Sequence, residues 1–400
     1  MSAQATISTS TLPEARTFVG SSVEVFTGAG GLALATHHAG FRHRALIEWN
    51  RDACETLRAN AALGSIRGIG DWHVLEADAR LVPFGSFGPV DLVAGGPPCQ
   101  PFSIGGKHAG MQDQRDMIPQ FVRAVRELTP KAFILENVKG LLRESFKTYF
   151  SYTLLQLAHP EVVPHRGEDW LQHLGRLEDC HTHGSNGLSY NVVFRLLNAA
   201  DYGVPQTRER VFIVGFRQDT KIEWHFPEPT HSRTDLVHQQ NSGAYWEEHG
   251  IACPSGDPRE SGASALSLLP LRRWRTVRDA IADLPEPSLH SAHLTVPNHV
   301  LRVGARRYKG HTGSLLDWPS KTLKAGDHGV PGGENMIAFP DGTVRYMSVR
   351  EAARIQTFPD AWRFQGPWSE AMRQLGNAVP VQLASVVASS VASALDVHSS

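Results

Sequence analysis

A short apolar run, Val23 to Phe26, breaks into Thr27-Gly28-Ala29-Gly30-Gly31, after which Leu32, Leu34 and Ala35 open a helix. Strand, glycine turn and helix in that order form a nucleotide-type site of an α/β layer, because the glycines let a ligand approach the backbone at the helix N-terminus. The spacing is not G-x-G-x-x-G, which weakens the case for a dinucleotide. A second strand, Ala45 to Ile47, ends at Glu48-Trp49 ahead of a helix over Arg51 to Asn60, and a third near Trp72 to Leu75 ends at Glu76-Ala77-Asp78. A carboxylate ending the second strand is placed to hold a ribose, Trp49 to lie against adenine, and Asp78 to accept from the adenine amino group. Each acid alone is equally a helix cap or a solvated loop residue; three strand-end features in register are harder to dismiss.

The fourth apolar run, Val90 to Ala94, leads into Gly95-Gly96-Pro97-Pro98-Cys99-Gln100-Pro101-Phe102-Ser103. Free cysteine is usually buried, but here prolines on both sides stiffen a turn that presents the thiol. Ile104 to Gln114 is rich in Gly, Lys, His and Gln, as suits a mobile loop able to close over a substrate, with Gly105, Gly106 and Gly110 as hinge points. A helix over Met117 to Leu128 stops at Pro130, and a fifth strand, Ala132 to Leu135, delivers Glu136-Asn137-Val138. Glu136 is a second reactive group beside the thiol, or a capping acid. His165 to Asn186 reads as an irregular, solvated loop; Cys180, His181 and His183 have no second ligand pair at zinc spacing. A sixth strand, Val192 to Leu197, precedes Gln206-Thr207-Arg208-Glu209-Arg210 and the strand Val211 to Phe216. Arginines at i and i+2 entering a strand point the same way, so two guanidiniums face one cleft.

Beyond Trp224 the chain turns proline-rich and polar, and Thr276 to Leu284 makes a capped helical turn. From Leu271 to Lys324, basic residues including Arg302, Arg306, Arg307, Lys321 and Lys324 outnumber acids, although the formal net charge is only -1. That is a solvated basic face or a surface for phosphates. Helical periodicity returns at Arg350 to Ile355, and Gly376-Asn377-Ala378-Val379-Pro380 opens a last helix that folds back onto the large domain. Four scattered cysteines in 400 residues make a disulfide framework improbable, and 41% hydrophobic with 20% charged content describes a globular protein rather than a disordered one. No stretch reaches the unbroken apolar length of a membrane span, and Met1 to Arg16 is no signal peptide but a loose tail.

The ordered set Phe-x-Gly-x-Gly-Gly, Pro-Pro-Cys-Gln, Glu-Asn-Val, Gln-x-Arg-x-Arg and Gly-Asn-x-Val, from Val23 to Ala384, resembles the DNA (cytosine-5) methyltransferases of the bacterial restriction–modification type. Glu24 stands where that family usually has Asp, and the Cys180 region looks like an insertion. The resemblance implies an α/β, Rossmann-like S-adenosylmethionine-dependent sheet with a small, loop-rich target-recognition domain. It implies a flexible tail over 1–17, a catalytic domain over 18–285 plus 345–400, and recognition over 286–344, with an alternative start near 226. Cys99, Glu136, Arg208 and Arg210 are the implied catalytic set. Phe26, Gly28, Ala29, Gly30, Gly31, Glu48, Trp49, Asp78, Ala79, Gly96, Pro98, Ile118, Asn377 and Ala378 would hold S-adenosyl-L-methionine and its product S-adenosyl-L-homocysteine. Gln100, Ser103, Lys107, Arg302, Arg306, Arg307, Lys321, Thr322 and Lys324 would touch double-stranded DNA, and no metal is called for.

In the implied reaction Cys99 adds to C6 of a flipped-out cytosine and C5 takes the methyl group. A monomer in a bacterial cytoplasm, associated with the nucleoid through DNA and accompanied by an independently acting restriction endonuclease, is the implied setting. The other readings are a tRNA cytosine-5 methyltransferase, whose Cys-Phe-Thr segment is not found here, and an inert DNA-binding relative, against which Cys99, Glu136 and Arg210 speak.

Overall fold

The structure, a computed structural model, describes residues 18–98, 116–184, 187–253, 271–289, 296–309, 311–325 and 335–397. The tail, Cys99, Gln100, Ser103, Lys107 and the loop from Ile104 to Gln114 lie outside the described residues.

The first half alternates strand and helix. Strand β1 (Gly20–Val25) leads to α1 (Gly31–His38), β2 (Phe41–Glu48), α2 (Arg51–Leu63), β3 (Val74–Glu76) and β4 (Leu92–Gly95). Then follow α3 (Ile118–Leu128), β5 (Ala132–Val138), α4 (Lys147–Ala158), α5 (Trp170–His183), β6 (Tyr190–Asn198) and β7 (Glu209–Arg217). The seven strands form one sheet in the order β3-β2-β1-β4-β5-β7-β6, parallel as far as β5, with β7 and β6 antiparallel. Strands covered on both faces must be apolar throughout. On one face Val23, Val93, Phe133 and Leu135 pack with Phe121, Val125 and Leu128 of α3. On the other, Leu92, Ala94, Ala132 and Ile134 meet α1 and the C-terminal helix α11 (Val381–Val397) through Leu32, Ala35, Val387 and Val391.

Register places the site. Leu75 pairs with Ile47, Ile47 with Val25, Val25 with Gly95, and Gly95 with Leu135. The next residue along each strand is therefore Glu76, Glu48, Phe26, Gly96 and Glu136, a single row at the carboxyl end of the parallel strands. Strand order reverses between β1 and β4, which is where such sheets open a ligand crevice.

The remaining chain builds β8 (His231–Ser232), α6 (Arg233–Ser242), α7 (Ala244–Glu248), β9 (Arg272–Arg273) and α8 (Val277–Ile281). After these come β10 (Ser314–Leu315), β11 (Met336–Ala338), β12 (Val344–Tyr346), α9 (Val349–Ile355) and α10 (Trp368–Asn377). Strands β10, β11 and β12 make a three-stranded sheet, and β8 with β9 a two-stranded one. Val277, Leu323, Ile337, Met347, Trp362 and Met372 share a core with Leu34, Leu57 and Trp72, so this part packs directly on the α1 and α2 side of the large sheet. The expected boundary between 344 and 345 falls inside β12.

Three expectations are corrected. The segment expected to be an irregular loop after His165 holds α5, because Asp169 and Gln172 form a reciprocal cap and Leu174 and Leu177 bury one helical face on α4. Gly376-Asn377 does not open the last helix but closes α10, and Pro380 precedes α11. Trp368–Val397 does reach the length and apolar content of a membrane span. It is two helices, however, and α11 spends its apolar face on α1.

Candidate active site

The glycine turn after β1 is tight. Phe26 takes a φ of 60°, in the left-handed region, and Gly28 one of 56°. Gly31 begins α1 where a Cβ would overlap the carbonyl oxygen of Val379, so the turn and the Gly-Asn-x-Val segment are in contact only because residue 31 is glycine. Gly376, one residue before Asn377, lies equally close to the Ala325 backbone.

At the end of β2, Glu48 is buried, and its carboxylate accepts from the backbone N–H groups of Gly28 (2.7 Å), Asn50 (2.8 Å) and Trp49 (3.0 Å). Burial nonetheless raises its pKa. Trp49 beside it is 70% exposed. Asp78 caps the short turn Ala79–Leu81 and is gripped by Arg80, whose Nε lies 2.9 Å from Oδ2, which holds the carboxyl below its usual range. Ala79 is buried, and Arg123 of α3 donates to its carbonyl at 2.6 Å. Ile118 is buried at the start of α3; Ala378 is buried and Asn377 exposed. An open Gly28, with nothing within 4 Å of a would-be Cβ, an exposed indole and a buried acceptor fit a purine nucleoside with a free ribose edge.

Glu136 is buried at the end of β5, and Arg210, on the neighbouring strand β7, brings Nε within 2.8 Å of its Oε1. Burial raises the Glu136 pKa, outweighing the guanidiniums of Arg210 and Arg208. Gly96 faces this carboxylate: a Cβ at 96 would sit 3.0 Å from Oε2. Asn137 donates from Nδ2 to the Pro97 carbonyl at 3.2 Å, tying the Gly96-Pro97-Pro98 turn to β5. Gly96 and Pro97, three and two residues before Cys99, are thus held beside Glu136 and Asn137.

Arg208 departs from the expectation of two guanidiniums in one cleft. It is fully buried and donates to the carbonyls of Gly376 (2.6 Å), Leu323 (2.8 Å) and Ala378 (3.0 Å). Residue 208 precedes β7, so side-chain alternation along the strand does not govern it. Gln206 and Gln356 extend the same cross-link: Gln206 Nε2 donates to Gln356 Oε1 at 3.0 Å and Gln206 Oε1 accepts from Leu323 N at 3.0 Å. Asn137, Gln206 and Gln356 were not singled out from the sequence. Asn137 and Gln206 lay inside the quoted motifs, and only the fold shows what they hold.

Of the expected DNA contacts, Arg306, Arg307, Lys321 and Lys324 are exposed, and Arg302 lies over the Trp368 ring at 5.4 Å. Thr322 turns its hydroxyl inward, donating to the Thr207 carbonyl at 2.7 Å.

The chain is 31% identical over 379 residues to the Neisseria gonorrhoeae Type II methyltransferase M.NgoMIV, covering 94% of this chain and 97% of that protein. It is 32% identical over 384 residues to M.Eco47II of Escherichia coli, covering 94% and 79%. Among solved structures, the S. pombe Dnmt2 methyltransferase superposes with a TM-score of 0.54 at 16% identity, covering 94% of this chain and 98% of that one, a likeness of fold. The family model for C-5 cytosine-specific DNA methylase matches residues 20–159 and 180–393, leaving out the stretch that carries most of α5. With that match over most of its length, and with the motif residues brought to one end of the sheet, the chain belongs to the C-5 cytosine-specific DNA methylase family.

Proposed function

We propose that the protein transfers a methyl group to C5 of cytosine in duplex DNA at a specific sequence, through addition of Cys99 to C6. The observation that carries this is the buried Glu136, paired with Arg210 at 2.8 Å and facing Gly96, three residues before Cys99 in the sequence.

Cytosine C5 is a poor nucleophile until a nucleophile adds at C6 and makes the ring enamine-like. A thiol does this well, because some thiolate exists near neutral pH even at a pKa of about 8.5. Density pushed into the ring collects at N3, where a carboxyl that retains its proton is needed. Burial raises the Glu136 pKa, which works toward that state, while Arg210 pairs with the carboxyl at 2.8 Å and, in this reading, meets the base O2. Glu48, Trp49, Asp78 and the Gly28 turn would hold S-adenosylmethionine, which would supply the methyl group that C5 takes up and leave as S-adenosylhomocysteine. A base then takes the C5 proton, and the freed electron pair re-forms the C5–C6 double bond as the C6–sulfur bond to Cys99 breaks and releases the thiolate. Arg208 acts at a distance, by fixing Gly376, Ala378 and Leu323.

The bacterial Type II relatives support a restriction–modification setting; a monomeric enzyme and a separately acting endonuclease belong to the same proposal. The test is transfer of labelled methyl to duplex DNA and, separately, to tRNA, with wild type and Cys99→Ser. Transfer to duplex cytosines that is lost in Cys99→Ser supports the proposal. Transfer to tRNA alone would replace it with the RNA reading, and no transfer to either with an inert DNA binder.

A further inference from the structure

The chain between Leu301 and Thr312 runs across the surface and returns sharply on itself. Tyr308 N–H donates to the His311 carbonyl at 3.3 Å, and His311 N–H to the Tyr308 carbonyl at 2.8 Å. The two rings stack at 4.2 Å between centroids and 29° between planes, yet Tyr308 stays 56% exposed. A large ring that is held by its neighbour and still open to solvent has given up its rotamer freedom without gaining burial, the state of a side chain prepared for contact.

Its surroundings say with what. Arg306, Arg307 and Lys309 are exposed on either side of it, and Lys321 Nζ donates to Thr312 Oγ1 at 2.6 Å. Asp341 lies near enough to Arg307 to feel its charge. The Ser320–Thr322 segment, whose Lys321 reaches Thr312 beside the return, is tied to Thr207: Thr207 N–H donates to Ser320 O at 2.9 Å, and Thr322 Oγ1 to Thr207 O at 2.7 Å. Arg210, which pairs with Glu136, follows Thr207 by three residues. Cations around a presented aromatic ring match a nucleic-acid surface: cations take phosphates and the ring takes a base.

Resting on the DNA-methylation reading, we infer that Tyr308, backed by His311, is a specificity-determining residue that packs its ring on a base of the recognition sequence beside the target cytosine. Arg306 and Arg307 hold the flanking phosphates. The ring, rather than the hydroxyl, makes the contact.

The experiment uses the full-length enzyme as wild type, Tyr308→Ala, Tyr308→Phe and Arg306→Ala/Arg307→Ala. It reads methylated positions in a mixed-sequence duplex pool, kcat and KM on the preferred duplex, and affinity for S-adenosylhomocysteine. Tyr308→Ala is expected to lose about tenfold in preference for its site over singly substituted sites. Its KM for DNA should rise with kcat and S-adenosylhomocysteine affinity kept, and Tyr308→Phe should behave as wild type. Arg306→Ala/Arg307→Ala should weaken all sequences alike and flatten the salt dependence by about one unit of slope per cation. Unchanged site preference and KM in Tyr308→Ala would overturn this inference alone. A wild type that methylates no duplex DNA would overturn it together with the reading beneath it.

Discussion

Replacing Arg208 by methionine keeps much of its bulk and removes its charge and its donors. The guanidinium is fully buried and serves three carbonyls on two separate segments, Leu323 on one side and Gly376 with Ala378 on the other. A buried carbonyl deprived of its donor costs about 1–3 kcal/mol, so three cost about 3–9 kcal/mol. Against this stands the relief of desolvating a cation, which lowers the Arg208 pKa well below its usual value and offsets several kcal/mol. With the middle of that range, about 6 kcal/mol, and an offset of about 1–3 kcal/mol, a net loss of about 3–5 kcal/mol remains. At roughly 2.1 cal/mol/K per residue, a chain of 400 residues has an unfolding entropy of about 0.84 kcal/mol/K, so Tm should fall by about 4–6 °C. Scanning calorimetry reads this directly. Because two of the freed carbonyls, those of Gly376 and Ala378, flank Asn377, titration with S-adenosylhomocysteine should show weakened binding in the same variant. A Tm within 1 °C of wild type together with unaltered binding would refute the claim that Arg208 holds the two segments.

Glu136→Gln keeps a hydrogen-bond donor near the base but cannot pass a proton to N3, and kcat should fall by about 10²–10⁴-fold with DNA affinity retained, measured in single-turnover transfer. Asn137→Ala releases the Pro97 carbonyl (3.2 Å) and should lower kcat about tenfold through misplacement of the Cys99 turn, with a KM for the cofactor near wild type. Gly31→Ala drives a Cβ into the Val379 carbonyl and should cost at least tenfold in cofactor affinity by calorimetric titration. Glu24 is fully buried, and burial raises its pKa well above 4.5. With a raised folded pKa, stability is fully present below the unfolded value and is lost as pH rises toward the folded one. Urea denaturation of Glu24→Gln should therefore show a stability difference from wild type that shifts in the variant's favour by about 1.4 kcal/mol per pH unit above 4.5, and a flat difference would contradict the assignment.

The strand ends were legible because apolar runs buried on both faces stop where chemistry begins. Val23 to Phe26, Ala45 to Ile47 and Ala132 to Leu135 each mark part of a longer observed strand, and Phe26, Glu48 and Glu136 at their ends meet in one row. The cap that starts α5 rests on Asp169 and Gln172, residue types that loops also carry, and one buried leucine per turn among histidines and acids gives a weak periodicity. The destination of Arg208 could not be read from Gln-x-Arg-x-Arg, since its partners are carbonyls more than a hundred residues away, which any sequence could supply. The Tyr308 and His311 pair is local, three residues apart, but that spacing alone does not say that the two residues pair back on each other and stack.

The measurement closest to the central claim is covalent trapping. Duplex DNA carrying 5-fluorocytosine at the target position cannot lose its C5 substituent as a proton, so the adduct should persist. With the cofactor present, the account expects a denaturation-resistant protein–DNA complex that peptide mapping assigns to Cys99. It should be absent in Cys99→Ser and slowed in Glu136→Gln. A complex attached through another residue, or methylated product formed with no trapped complex at any time, would contradict it.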